Sequence, residues 1–203
     1  MKPFYRGLIF CLWWCNFLYG KTIFRIARDI EFSGFDPIKT FDKSVVIINE
    51  IYDGLFEVNE KGEVVPALVE KYSVDSTRRI WTFYLRRNVY FAYDKCFSHS
   101  GKIKRKLTAY DVEYSFKRLM QWVRVPAPIK QLFSKFYAKD EHQFVIELNE
   151  PFSPLKSLLA MHIFKIVPKE AVEYYGDEFY LHPVGTGPFK LAHWIKESEL
   201  VLV

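Results

Sequence analysis

The side chains that could perform covalent chemistry are few in this 203-residue sequence, and they stand far apart. No HExxH motif or paired metal spacing occurs, and the G-x-S-x-G, Walker and G-x-G-x-x-G motifs are also missing. The five histidines are scattered along the chain: His99, His142, His162, His182 and His193. The sequence therefore predicts a protein that is not an enzyme, with no catalytic residues, no metal site and no cofactor.

Cysteine chemistry is also poorly supported. Cys11 and Cys15 fall in an apolar N-terminal run, and Cys96 is the only other cysteine. A single cysteine cannot form an intramolecular disulfide. We expect Cys96 to be a buried or semi-buried small hydrophobe beside Phe97, with His99 nearby as an ordinary loop residue.

The segment Gly185-Thr186-Gly187-Pro188 looks superficially like a phosphate-binding loop. Pro188 removes an amide donor that such a loop needs, so a structural role is favoured. We expect the glycines to supply backbone angles that a β-carbon forbids, including a positive φ at Gly187. The loop should lead into a strand, a turn and a second strand. The run Leu200–Val203 would then be an exposed, unpaired apolar edge, as expected for the front portion of a larger protein.

Periodicity predicts the elements that position these residues. An apolar run after Ser44 indicates a buried helix, and Thr108 with Asp111 resembles a capping box at the start of a second helix. Pro168 is expected at the first position of a further helix that ends at Gly176. A short helix is predicted over 154–161, and strands over 23–28, 55–58, 64–65, 72–75, 80–87 and 144–148.

The N-terminus has the pattern of a signal peptide. Lys2 and Arg6 precede the apolar run 7–19, which is too short to span a bilayer comfortably, and Gly20 permits cleavage before Lys21. An uncleaved membrane anchor is the alternative. Neither cysteine of this segment follows the small residues of a lipoprotein signal.

The charge of the chain is mild. The formal net charge is +5, and half of the residues are apolar, which indicates a folded protein. There is no zinc spacing, no aromatic pattern of an RNA-binding domain and no basic helix, so nucleic-acid binding is not predicted.

An ordered set of motifs resembles the family 5 extracellular solute-binding proteins, the peptide and nickel receptors of bacterial ABC importers. The segments that carry the resemblance are Phe35-Asp36-Pro37, IYDGLF at 51–56, VPALVE at 65–70, WTFYLR at 81–86, LTAYDVEYSF at 107–116, IVPKEAV at 166–172 and PVGTGPFKL at 183–191. Residues 95–106 depart from the usual pattern as an insertion, which leaves the subfamily open.

The resemblance implies an α/β fold, namely one lobe of a type II periplasmic binding protein, truncated before the second lobe. Residues 1–20 would be the signal peptide, 21–52 and 167–203 the incomplete first lobe, and 53–166 an inserted α+β subdomain. It also implies a periplasmic monomer that binds peptides and works with the permease subunits of an ABC transporter. The alternative is a truncated or degenerate family member that acts only in docking, or has no function.

The resemblance also implies ligand-binding residues after the Asp36-Pro37 turn: Thr40, Phe41, Asp42 and Lys43. Thr40 could hydrogen-bond a ligand amide, and Phe41 could pack against a ligand side chain. In the alternative, Thr40 and Asp42 cap the next helix while Phe41 joins the core. The family carboxylate that neutralises a peptide's amino group would lie in the absent second lobe. Three other aromatic residues, Trp81, Phe83 and Trp194, are expected in the core.

Overall fold

The computed structural model describes residues 32–100 and 104–203, except for the side chains of His99 and Ser100. The predicted signal peptide and the strand over 23–28 lie outside the described residues. No helix in the described part is long and apolar enough to cross a membrane.

A four-stranded antiparallel sheet forms the centre of the described part. Its strands are β3 (Val69–Val74), β4 (Ile80–Leu85), β5 (Phe133–Ala138) and β6 (Gln143–Leu148), in the order β3-β4-β6-β5. In β4, Trp81, Phe83 and Leu85 are buried while Ile80 is exposed, so one face of the strand is apolar as predicted. Strand β5 is not predicted from the sequence.

Helix α2 (Ala109–Gln121) covers one face of this sheet. Its start is fixed as predicted, because the Asp111 carboxylate accepts a hydrogen bond from the Thr108 backbone N–H at 2.8 Å. Its core contact is the ring of Phe116, which is 1% exposed. That ring lies 5.0 to 6.1 Å, between centroids, from Phe133, Phe136, Phe144 and Phe164. Tilted and edge-on rings at this separation add stabilisation beyond their buried area.

The two ends of segment 53–166 lie side by side. The first follows helix α1 (Val45–Ile51) and leads into the hairpin of β1 (Phe56–Val58) and β2 (Val64–Pro66). At the second, the backbone N–H of Ile166 donates to the carbonyl of Asp53 at 2.9 Å. The buried Ser115 hydroxyl of α2 accepts from the N–H of Val167 at 3.0 Å. Residues 53 and 166, the two ends of this segment, are therefore neighbours in the fold.

The remaining helices are short. They are α3 (Ala127–Leu132), α4 (Leu155–Leu159), α5 (Lys169–Tyr175) and the 3-10 segments Lys95–Ser100, His162–Phe164 and Gly176–Leu181. Pro168 is the residue before α5, not its first residue, because its ψ of 134° is extended. Gly176 ends the helix with a φ of +53°, as its position predicts.

The chain closes with a hairpin of β7 (Leu191–Ile195) and β8 (Glu199–Leu202). The expectation that Leu200–Val203 is exposed is wrong for most of the run, although β8 has no strand on its other side within the described residues. Leu200, Val201 and Leu202 are half-buried and paired with β7, and only Val203 is exposed. Backbone hydrogen bonds of 2.9 Å run in both directions between Lys190 and Val203 and close the hairpin.

The glycine loop is required for space rather than for unusual backbone angles. Neither Gly185 nor Gly187 has a positive φ, so that expectation is wrong. A Cβ on Gly185 would lie 2.0 Å from the carbonyl oxygen of Ile51, and a Cβ on Gly187 2.6 Å from that of Glu50. The N–H of Gly187 donates to the Ile51 carbonyl at 2.9 Å. The loop is thus pressed against the end of α1, where no side chain fits.

The predictions for single core residues are mostly correct. Trp81 and Phe83 are buried, and so is Cys96. Trp194 is half-buried and packs edge-on against Phe35 with ring centroids 5.1 Å apart.

Candidate functional site

The loop after the Asp36-Pro37 turn is anchored by a buried ion pair. Asp36 is 1% exposed, and its carboxylate accepts two hydrogen bonds from the Arg118 guanidinium of α2, at 2.8 and 2.5 Å. The carbonyl of Asp36 accepts from the N–H groups of Lys39 and Thr40 at 3.1 Å each. A two-point contact between arginine and carboxylate fixes orientation as well as distance. The loop therefore keeps a defined position relative to α2.

The four predicted site residues lie on this one loop, but they differ in exposure and in hydrogen bonding. Thr40 is 3% exposed, and its hydroxyl donates to the Gly34 carbonyl at 3.2 Å. Phe41 is 57% exposed and Lys43 is exposed as well. The alternative in which Phe41 joins the core and Thr40 caps the helix is therefore wrong.

Asp42 does stabilise the start of α1. Its carboxylate accepts from the Ser44 N–H at 2.7 Å, and its carbonyl accepts from the Val45 N–H at 3.2 Å. Partial burial raises the pKa of Asp42, but hydrogen bonds from Ser33 and Ser44 outweigh this effect, and the net pKa is lowered. The N-cap of α1 is Ser44, with no side-chain capping bond, so Asp42 holds the turn before the helix and does not cap it.

His162 is a functional candidate that the sequence does not single out. Its ring lies edge-on to Phe41, with centroids 5.5 Å apart and an interplanar angle of 82°. The ring hydrogen-bonds to the backbone of Thr40, and Nε2 is buried without a hydrogen-bond partner. Since 121 residues separate Phe41 from His162, no local pattern could have joined them.

The protonation state of His162 decides what the unpartnered nitrogen can do. Burial lowers its pKa, the Thr40 hydrogen bond raises it less, and the net pKa is below its ordinary value. The imidazole is then neutral at pH 7, and one ring nitrogen is an acceptor. If the Thr40 carbonyl takes the ring N–H, Nε2 keeps an unpaired lone pair, but this nitrogen is buried and closed to a ligand. The accessible groups of this loop are therefore the apolar ring of Phe41 and the cation of Lys43.

Metal ligation and a reactive thiol were the two kinds of chemistry that the histidines and cysteines could have supplied. Within residues 32–100 and 104–203, no three His, Cys, Asp or Glu side chains are grouped so as to hold a metal ion. Burial, followed by the hydrogen bond and negative charge of Asp94, raises the pKa of the Cys96 thiol far above its ordinary value. A thiol of this kind is a poor nucleophile.

The chain matches one protein-family model, and its relatives in sequence are binding proteins. Residues 63–203 match the family model "Bacterial extracellular solute-binding proteins, family 5 Middle". The Glutathione-binding protein GsiB of Salmonella choleraesuis (strain SC-B67) is 29% identical over 180 residues, covering 88% of this chain and 33% of the relative. GsiB of Escherichia coli O1:K1 / APEC is 29% identical over 191 residues, covering 93% and 35%. The chain spans about a third of the length of these relatives.

Solved structures agree with this result. The periplasmic binding protein DppA of Helicobacter pylori, in complex with the peptide STSA, superposes with a TM-score of 0.74 at 27% identity, covering 85% of this chain and 37% of DppA. The oligopeptide ABC transporter substrate-binding domain of Bacillus anthracis gives a TM-score of 0.75 at 21% identity, covering 87% and 36%, which shows likeness of fold alone. The fold is a mixed α/β part of a type II periplasmic binding protein. The chain belongs to the bacterial extracellular solute-binding proteins of family 5.

Proposed function

We propose that the chain is part of the solute-binding component of an ABC importer and that its ligands are short peptides. DppA is solved with a tetrapeptide, and GsiB is named for glutathione, itself a tripeptide. Other relatives bind a ligand that is not a peptide. AgaA of A. tumefaciens R10 is solved with agropinic acid. It is 27% identical to this chain with a TM-score of 0.70, and the match covers 85% of this chain and 33% of AgaA. Peptide is thus the ligand class that most of these relatives favour.

The observation that carries the proposal is the exposed Phe41 ring on a loop that is otherwise fixed. Single exposed apolar side chains are common on protein surfaces, but this one stands where the family resemblance implies ligand contact, on a loop that needs no reordering to bind. Phe41 would pack against a peptide side chain and Lys43 would attract a carboxylate, while the His162 ring would support the Phe41 ring from its side. Thr40 and Asp42 would shape the loop from behind, since their side-chain oxygens already have partners.

The wider arrangement follows from the same proposal. Residues 21–52 and 167–203 would belong to one lobe and 53–166 to a subdomain inserted in it, with the hydrogen bond from Ile166 to Asp53 at the junction. Residues 1–20 would direct export to the periplasm. The protein would act as a monomer that closes around its ligand and delivers it to the permease subunits, without covalent chemistry.

The test is a calorimetric titration of the 203-residue chain with Ser-Thr-Ser-Ala and with glutathione. We expect Phe41→Ala to weaken binding about tenfold, because an aromatic contact is lost from the binding surface. Tyr110→Ala is the matched control, since Tyr110 is 55% exposed and lies on α2 outside the loop. Equal effects of the two variants would contradict the proposed site. A chain that melts cooperatively and binds neither peptide would favour a docking role instead.

A further inference from the structure

An open cleft of about 520 Å³ lies at the other end of α1, beside the β1–β2 hairpin. Its volume is in the range of small-molecule sites. It shares no lining residue with the Thr40–Lys43 loop or His162. The lining is formed by Asp53, Glu57, Pro66, Ala67, Leu68, Arg86, Asn88, Val89, Tyr90 and Thr186.

One wall of the cleft is acidic. One carboxylate oxygen of Asp53 accepts from the Thr186 hydroxyl at 2.8 Å, which leaves the other oxygen available. Glu57 is exposed, and its side chain makes no hydrogen bond or ion pair within the described residues. The buried ammonium of Lys165 is attracted by three carboxylates, those of Asp53, Glu57 and Glu50. Asp53 and Glu57 are the two of these carboxylates that line the cleft, so this wall stays negative even with the Lys165 ammonium nearby.

The lining of the cleft also includes an arginine that is held in place but forms no ion pair in the described part of the chain. The Nε of Arg86 donates to the Ala67 carbonyl at 2.7 Å, and its backbone N–H donates to the Leu68 carbonyl at 2.9 Å. Its two terminal nitrogens make no hydrogen bond within the described part of the chain. Within the described residues Arg86 forms no ion pair with Asp53 or Glu57, although all three line the same cleft. The cleft therefore holds charges of both signs that do not neutralise each other by direct contact.

We infer that this cleft is a second binding site, for a free amino acid. The ammonium of such a ligand meets Asp53 and Glu57, and its carboxylate meets the two free nitrogens of Arg86, which match a carboxylate in geometry. Pro66, Val89 and the exposed ring of Tyr90 offer apolar contact to a ligand side chain. A ligand with only one of the two charges leaves either Arg86 or the two carboxylates without a partner, and the site discriminates against such a ligand.

The first experiment uses three probes of nearly equal size. Leucine carries both charges, leucinamide lacks the carboxylate, and N-acetyl-leucine lacks the ammonium. The 203-residue chain is titrated with each probe, and binding is followed by chemical-shift changes in its NMR spectrum. We expect leucine to bind at least about tenfold more tightly than either analogue, since each analogue loses a charge-assisted contact. Equal affinity of the three probes overturns the inference.

Variants then test the arginine and the carboxylates separately. Arg86→Gln should weaken leucine binding about tenfold and remove the preference over leucinamide. Arg87→Gln is the matched control, because Arg87 is the exposed neighbour that does not line the cleft. Glu57→Gln, at an exposed position, should reduce the preference over N-acetyl-leucine. Thermal melts establish that each variant is folded, and equal effects of Arg86→Gln and Arg87→Gln contradict the site.

The two proposed sites are separable by one further variant. Phe41→Ala should leave leucine affinity unchanged, whereas it should weaken peptide binding. Loss of both activities in Phe41→Ala means that leucine binds in the peptide site and overturns a second site. Leucine binding that survives in a chain without peptide affinity supports the cleft independently of the proposed function.

Discussion

Two loops pack near the ends of α1, and they keep their shapes by opposite means. The 36–43 loop is held by side chains, through the Asp36–Arg118 ion pair and the carboxylate of Asp42. The 185–187 loop is held by the lack of side chains, because backbone atoms of Glu50 and Ile51 fill the space of a β-carbon. The first loop can change its exposed residues without losing its anchor. The second can change almost nothing, so we expect ligand preference to vary in the first.

The largest effect that this comparison predicts is that of Gly185→Ala. A contact of 2.0 Å with the backbone oxygen of Ile51 cannot be relieved by rotating a side chain, so the unfolding free energy should fall by about 3 kcal/mol or more. Urea denaturation followed by circular dichroism measures the change.

Gly62→Ala is the control for backbone strain. Gly62 has a φ of +79°, and no other atom lies within 4 Å of the place that a Cβ would occupy, so its substitution should cost only about 1 kcal/mol. If Gly185→Ala costs no more than Gly62→Ala, the close approach of the two backbones is not what fixes the glycine loop.

A smaller but still large effect is expected from Arg118→Met. Asp36 would keep a buried carboxylate whose remaining partners are the Ile38 N–H at 3.3 Å and the Lys39 ammonium at 4.0 Å. The unfolding free energy should therefore fall by about 3 kcal/mol. Lys117→Met, next along the helix, breaks only an exposed pair with Glu113 and should cost less than about 0.5 kcal/mol. Equal denaturation midpoints for the two variants would show that side chains do not anchor the 36–43 loop.

The smallest predicted effect is that of Asp42→Asn, and it depends on pH. The folded-state pKa of Asp42 is lowered, so its charge contributes stability above the unfolded pKa near 3.8, and this is lost as pH falls through the folded pKa. At pH 7 the variant should be less stable by no more than about 1 kcal/mol. The difference between variant and wild type should disappear in melts below that range. A difference that persists in acid would assign the effect to packing instead of charge.

Local patterns predict most elements but not the contacts between them. The alternation in β4, the apolar run of α1 and the Thr108–Asp111 cap are visible in a few adjacent residues, and all three are correct. Strand β5 escapes prediction because its burial is irregular, with Phe133 alone fully buried, so neither alternation nor an apolar run marks it.

The candidate site shows the limit of such reasoning more clearly. The loop 40–43 is found only through its resemblance to a family. The exposure of Phe41 and the approach of His162 result from packing between residues more than 100 positions apart, and the ion pair of Asp36 with Arg118 joins residues 82 positions apart. The position of the glycine loop is predicted correctly, but the reason for its glycines is not. A glycine motif indicates that a side chain is excluded, but it does not show whether the backbone φ angle or the lack of space excludes it.

The seating of the glycine loop against α1 also has a kinetic consequence. Glu50 and Ile51 meet Gly185 and Gly187 only after more than 130 further residues have been synthesised. At a translation rate of about 5–20 residues per second, this wait lasts roughly 7 to 27 s. Contacts between such distant residues also form slowly once both are present, since a long loop must first close. During this interval the early segment lacks its partners, and a nascent chain in that state stays open to chaperones.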